Sequence, residues 1–250
     1  SYSVTGVQTC ALPICGTYTV TGLTSQTIGQ LKISNSTKLT LQAGAAATIT
    51  ISGGTDSDFE VGSGCELNLS GTNFAIVIAL QTGASGNVSG TINMSGQSSS
   101  TAHKITSVDA SSLIVNNGGI INIGSSFTGN PFGNTNSGSV IFTNGSTFTQ
   151  VSGSNPFAIS TPVVVFQSGS LFKILGNFSP SLSGRTYGNL EIDFASFSQA
   201  SMTGSGALTV DNLIITNASK AYFNLTGGIT INGDISVAAG DVAFYPASDC

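Results

Sequence analysis

Charge is the scarcest property of this 250-residue chain. It carries six Lys or Arg and eleven Asp or Glu, 7% of its residues, where an ordinary soluble domain carries about 25%. Six scattered cations against a net charge of −5 leave no basic patch to neutralise phosphates, which excludes nucleic acid as a partner. Tryptophan is absent and there is one histidine, so acid–base chemistry has few players. No apolar run approaches the roughly 18 residues of a membrane-spanning helix. The longest, Phe74 to Leu80, suits a buried strand. Strong helix formers do not dominate, which excludes a long helical protein.

What fills the chain instead is small and polar. It holds 32 Gly, 38 Ser, 29 Thr and 19 Asn, yet 40% of its residues are hydrophobic. A disordered polar tract lacks that apolar content. The composition predicts a β-rich chain with many turns.

The first residues stand apart. Val4 to Ile14, VTGVQTCALPI, match residue for residue the translation of a sequencing-adapter read. Residues 1–15 are therefore expected to lie outside the fold. Residues 16–250 are expected to form a single repeat domain, incomplete at both ends, from a metagenomic or draft assembly. Cys10 and Cys15 then carry no disulfide or metal framework. Cys65 reads as a small apolar residue in a strand.

One pattern recurs along the chain: apolar, any, apolar, two residues, Gly, two residues, apolar. It runs from Leu39, Phe59, Leu113, Val140, Val164 and Phe223, with glycines at Gly44, Gly64, Gly118, Gly145, Gly169 and Gly228. The 54-residue gap between Phe59 and Leu113 has room for a weaker copy near Val88 to Met94. Alternation at period two places one set of apolar side chains on one strand face. The glycine supplies a turn backbone that other residues resist. Neither short strand buries its apolar side alone, but stacking one turn on the next does so and pairs the backbone. The expected fold is all-β: a right-handed parallel β-helix, or β-solenoid, with rungs of about 20–27 residues. Roughly nine rungs make a rod of about 40–45 Å. Low charge fits, because stacking places like above like: repeated charges repel, whereas Ser, Thr and Asn ladders hydrogen-bond. Residues 97–104, 129–136, 152–158 and 179–187 read as loops leaving the rod.

Candidate chemistry is sparse. Asp56, Asp58 and Glu60 form the densest carboxylate group, and three acids at alternate positions suit Ca²⁺ through oxygen ligands. They lack the EF-hand glycine and distal glutamate, and a charged rung corner is the plainer reading. No other metal or organic cofactor is expected. His103 is a lone histidine without an evident catalytic partner. Arg185 precedes Glu191 and Asp193, but their alternation with Leu190, Ile192 and Phe194 reads as a solvated face. Thr-x-Thr at Thr17, Thr48 and Thr147 does not recur at each rung, which argues against an ice-binding ladder.

The segments GSGCELNLSGT, VNNGGIINIGSS, VVVFQSGSLFKI and SLSGRTYGNLEIDF resemble the repeat region of large secreted, adhesin-like surface proteins of Bacteroidetes-type bacteria. The resemblance covers roughly residues 16–250 and is strongest over 110–245. It implies an extracellular or outer-surface location, neighbouring rungs of a longer protein as partners, and no catalytic residues. The expected function is a non-enzymatic stalk or adhesive surface toward glycans, cells or solid substrates. The alternative is a piece of a polysaccharide-active lyase or hydrolase of the pectin lyase-like fold, with catalytic rungs missing or unrecognised. A cleft gathering two or more of Asp56, Asp58, Asp109, Glu191 and Asp193 would favour that alternative.

Overall fold

The structure, a computed structural model, describes residues 10–12, 15–54, 56–70, 74–95, 103–133, 136–153, 155–158 and 162–245. These residues contain strands and turns and no helix, so no helix is long and apolar enough to cross a membrane. All strand pairings are parallel, and the chain stacks into a β-solenoid of about nine turns.

Each early turn of chain lays down three strands. The first wall is a seven-stranded sheet beginning with Cys10–Leu12, Leu31–Ile33 and Phe59–Val61 and ending at Val164–Phe166. The second wall, with eleven strands, runs the length of the stack from Thr17–Leu23 to Ile229–Ile231 and Ile235–Val237. The third wall has four strands, ending at Lys104–Ser107. A fourth sheet of three strands closes the last turns, from Ser198–Gly204 to Asp241–Phe244.

The Phe59, Leu113, Val140 and Val164 copies of the motif occupy one corner, between the first and second walls. Phe59 pairs with Gly86, Gly86 with Leu113 and Leu113 with Val140, each step 27 residues. The weaker copy thus falls in place at Gly86–Val88. Gly64, Gly118, Gly145 and Gly169 take φ of 73–79° at this corner, a region costly for residues with a Cβ.

The Leu39 and Phe223 copies belong to other corners. Leu39 pairs with Leu67 in the second wall, and Leu31 is the residue that pairs with Phe59. In that first corner Asn35 and Ser36 adopt φ of 57° and 54° where later rungs use glycine. Asn tolerates this conformation better than most residues, which hid the true first copy. Phe223 lies in the fourth sheet, between Met202 and Phe244. Along the second wall the step varies from 18 residues, Leu171 to Asn189, to 29, Thr91 to Ile120.

Burial alternates along the strands, as period two requires. Glu66–Ser70 and Ile76–Leu80 each place every second side chain inside. Stacked alternation makes continuous apolar columns, such as Leu39, Leu67, Ile92, Ile121, Phe148, Phe172, Leu190 and Leu213. Phe59 fits because Gly86 above it has no side chain. A Cβ there would lie 3.2 Å from Phe59 Cδ1 and 2.9 Å from Leu113 Cδ1. The middle of the rod is aromatic: Phe166 packs at 4.9 Å on Phe142 and 5.6 Å on Phe172, whose ring stacks on Tyr187 at 5.4 Å.

Three segments read as loops behave differently. The described residues 129–133 and 155–158 do not leave the rod; with Leu182 they replace the third wall after Lys104–Ser107. Phe132, Phe157 and Leu182 are buried in the core. Ile105 N donates to Pro131 O at 2.9 Å, and Asn130 Nδ2 to Asn155 O. Pro131, Pro156 and Pro180 explain the missing strands, since proline has no N–H for a ladder. Residues Arg185 to Tyr187 lie within the strand Arg185–Asp193. Tyr187 is buried, its hydroxyl donates to Ser181 O, and burial pushes its phenol well above the usual range.

The expectation that residues 1–15 stand outside the fold falls mostly outside the described residues. Within them, Cys10–Leu12 pairs with Leu31–Ile33 as an edge strand. An open sheet edge accepts any extended backbone, so this pairing demands little of the sequence. Cys15 and Cys65 are free thiols, exposed and buried respectively.

Candidate functional site

The outward side chains of the second wall form the most organised polar surface on the described molecule. Parallel register aligns Thr40, Asn68, Asn93, Asn122, Thr149, Lys173 and Glu191 in one column. The side chains bond along it. Asn68 Nδ2 donates to Thr40 Oγ1 at 3.4 Å, Asn93 Nδ2 to Asn68 Oδ1 at 2.8 Å and Asn122 Nδ2 to Asn93 Oδ1 at 2.8 Å. Thr149 Oγ1 donates to Asn122 Oδ1 at 2.6 Å. Asn93 Nδ2 also reaches Glu66 Oε1 at 3.2 Å in the neighbouring column. The Asn68 hydrogen bond, helped by Lys38 at 3.3 Å and opposed by burial, holds the Glu66 carboxyl below its usual range.

Toward the later rungs the ladder ends in a charge cluster. Lys173 Nζ lies 3.0 Å from Glu191 Oε1 and 2.8 Å from Asp193 Oδ2, and Thr216 Oγ1 donates to the same Glu191 oxygen at 2.7 Å. Burial opposes the ammonium, but the hydrogen bonds to Asp193 and Glu191 outweigh it and hold Lys173 above its ordinary value. The cluster was not legible in the sequence. Lys173 and Glu191 become neighbours through an 18-residue step, and only the register reveals it. Arg185 lies over the Phe157 ring, 4.7 Å from its centroid.

Two of the five named carboxylates are thus brought together, but not in a cleft. A hydrolytic pair must flank a sugar bond with room for it between them. Here Lys173 stands between Glu191 and Asp193. Neither acid lines the recess of about 390 Å³ at the last rung, bounded by Leu225, Ile231 and Phe244, or the one of about 180 Å³ beside Asn155 and Phe178.

The structure does not gather Asp56, Asp58 and Glu60. Asp58 is buried; its Oδ2 accepts from Ser85 N at 2.9 Å and its Oδ1 from Gln30 Nε2 at 3.4 Å. The carboxylate fastens one rung to the next. Glu60 is on the outer side of Phe59–Val61, and Asp56 is exposed with φ of 72°. Among the described residues no group of three or more His, Cys, Asp or Glu side chains could hold a metal ion. Asp109 Oδ2 likewise accepts from a neighbouring rung, from Gly83 N at 2.6 Å.

His103 is buried rather than on a loop surface. Its Nδ1 accepts from Ile76 N at 3.0 Å and its Nε2 faces Ser95 O at 3.1 Å. That pair of partners selects the neutral ring with the proton on Nε2. Burial lowers its pKa, against a smaller opposing effect of the Ser95 carbonyl. The ring closes a rung.

Compared with known proteins, the chain matches no family model, no curated protein and no solved structure.

Proposed function

We propose that this chain is a segment of a non-enzymatic, extracellular surface protein whose rod serves as a stalk and whose second wall is an adhesive face toward glycans. The single observation behind this reading is the amide ladder from Asn68 to Asn122. By count, Asn68, Asn93 and Asn122 each accept one bond at Oδ1 and keep a second lone pair for a ligand, and Asn122 spends only one of its two amide N–H groups along the stack. Acceptors repeating at the strand spacing of about 4.8 Å suit the hydroxyls of an extended polysaccharide. Uncharged polar ladders also let many rungs stack without repulsion, as a stalk needs.

The test is retention of the purified chain on a panel of insoluble and immobilised polysaccharides. The Asn68→Ala/Asn122→Ala variant should lose binding at least tenfold while keeping its circular dichroism spectrum. Equal retention of the variant, or no retention of the parent on any glycan, would remove this face from the proposal.

The meeting of Glu191 with Asp193 supports a second reading, a polysaccharide-cleaving enzyme in which Lys173 holds two carboxylates. Reducing-end and unsaturated-product assays on acidic and neutral polysaccharides separate the two. Turnover abolished by Glu191→Gln would support the enzyme; absence of turnover would support the adhesive surface.

A further inference from the structure

Three times in succession the chain leaves the second wall through a proline-bearing segment, where the third wall has ended. The first two copies are alike: Asn130-Pro131-Phe132 and Asn155-Pro156-Phe157. In each, the Asn Oδ1 accepts from the Phe amide two residues on, at 2.8 Å. Asn130 Nδ2 then donates across to Asn155 O. The third copy departs from this pattern. It reads Ser179-Pro180-Ser181-Leu182, with one residue more before its buried apolar side chain, and that side chain is smaller. The second and third copies do not nest, and the recess of about 180 Å³ lies between them. Asn155 lines it, and among the described residues its Nδ2 has no acceptor. The donor that ties the first copy to the second is left over at the recess.

The residues around the recess define its ligand. Phe172, Phe178 and Pro180 give it apolar walls, and Asn155, Ser179 and Ser181 add polar groups. Ser181 Oγ accepts from Arg185 Nε at 3.1 Å, which leaves the hydroxyl proton of Ser181 to donate. Ser179 is exposed, so the recess opens to solvent. No charged side chain and no histidine is among the described lining residues. A cavity of about 150 Å³ admits benzene, so this one has room for one six-membered ring. An uncharged ring that offers C–H groups to phenylalanine and proline, and hydroxyls to Asn155 and Ser181, is a neutral pyranose. We propose that the recess binds a single neutral sugar ring, the end or a side branch of a glycan. It is a different site from the ladder on the second wall, and either holds or fails without the other.

The experiment titrates the isotopically labelled 250-residue chain by NMR with the methyl glycosides of glucose, galactose and mannose. Glucuronate and phenol serve as the charged ring and the ring with an apolar rim. The Asn155 side-chain amide signal should shift saturably with at least one neutral glycoside, and less or not at all with the two controls. Asn155→Ser deletes the Nδ2 donor and keeps an oxygen for the Phe157 amide, as Ser179 stands before Pro180 in the next copy. It should fold and weaken binding about tenfold, read from backbone amides around the recess. Phe178→Ala, which removes one wall, should weaken it at least as much. Asn68→Ala/Asn122→Ala should bind these glycosides as the parent does, which separates this site from the ladder. No saturable shift with any neutral glycoside, tighter binding of glucuronate or phenol, unchanged binding by Asn155→Ser, or loss of binding in the ladder variant would overturn the proposal.

Discussion

Asn122 donates its side-chain amide to Asn93 Oδ1 at 2.8 Å across 29 residues of sequence. The bond exists because parallel register places like residues directly above one another. Asn93 in turn donates to Asn68 and Glu66, so one carboxamide ties three rungs.

Asn93→Asp is predicted to convert this tie into a repulsion. The carboxylate accepts but cannot donate, and it faces Glu66. Loss of the two donated bonds plus like-charge contact should cost about 1–3 kcal/mol at neutral pH. Thermal melts of the variant should recover part of that loss with added salt, which screens partly exposed charges.

Phe166 contacts Phe142, Phe148, Phe157, Phe172 and Tyr187. Phe166→Ala opens a cavity at the centre of that cluster and should destabilise the chain by about 3–5 kcal/mol. Phe166→Leu should cost clearly less. Chemical denaturation of both variants checks the order.

Gly86→Ala places a Cβ 2.9 Å from Leu113 Cδ1, 3.1 Å from Leu80 Cδ2 and 3.2 Å from Phe59 Cδ1. Overpacking should cost about 1–3 kcal/mol. Phe59→Leu should relieve part of it, so the double variant is more stable than the two separate losses predict. A strictly additive cycle would contradict the packing described here.

Stability should fall in mild acid through His103. Burial lowers its folded pKa below the ordinary value of 6.5, so below about that pH the unfolded chain binds the proton that the folded chain refuses. The contribution is fully present above 6.5 and is lost as pH falls toward the folded value. Protonation would place a second N–H against the Ile76 amide. His103→Gln should flatten the melting temperature between pH 7 and 5, measured against the parent.

The copies at Phe59, Leu113, Val140 and Val164 were legible because their glycine is forced: the corner backbone needs positive φ, and Gly64, Gly118, Gly145 and Gly169 supply it. The first corner was illegible for the same physical reason inverted, since Asn35 and Ser36 adopt that backbone without a glycine to mark it. The proline-bearing segments read as loops because they lack strand periodicity, and nothing local shows that Phe132 and Phe157 turn inward. Asp58 looked like a ligand because its acidic neighbours are adjacent in sequence, yet its partner is the Ser85 amide 27 residues on.

The sequence by itself determined the architecture: period-two alternation, forced turns and scarce charge admit a stacked parallel solenoid. Tertiary structure alone decided which side chains meet. Rung steps range from 18 to 29 residues, so a neighbour above is fixed by register and not by sequence distance. That is why Lys173 came to lie between Glu191 and Asp193, and why Asn68, Asn93 and Asn122 became one ladder.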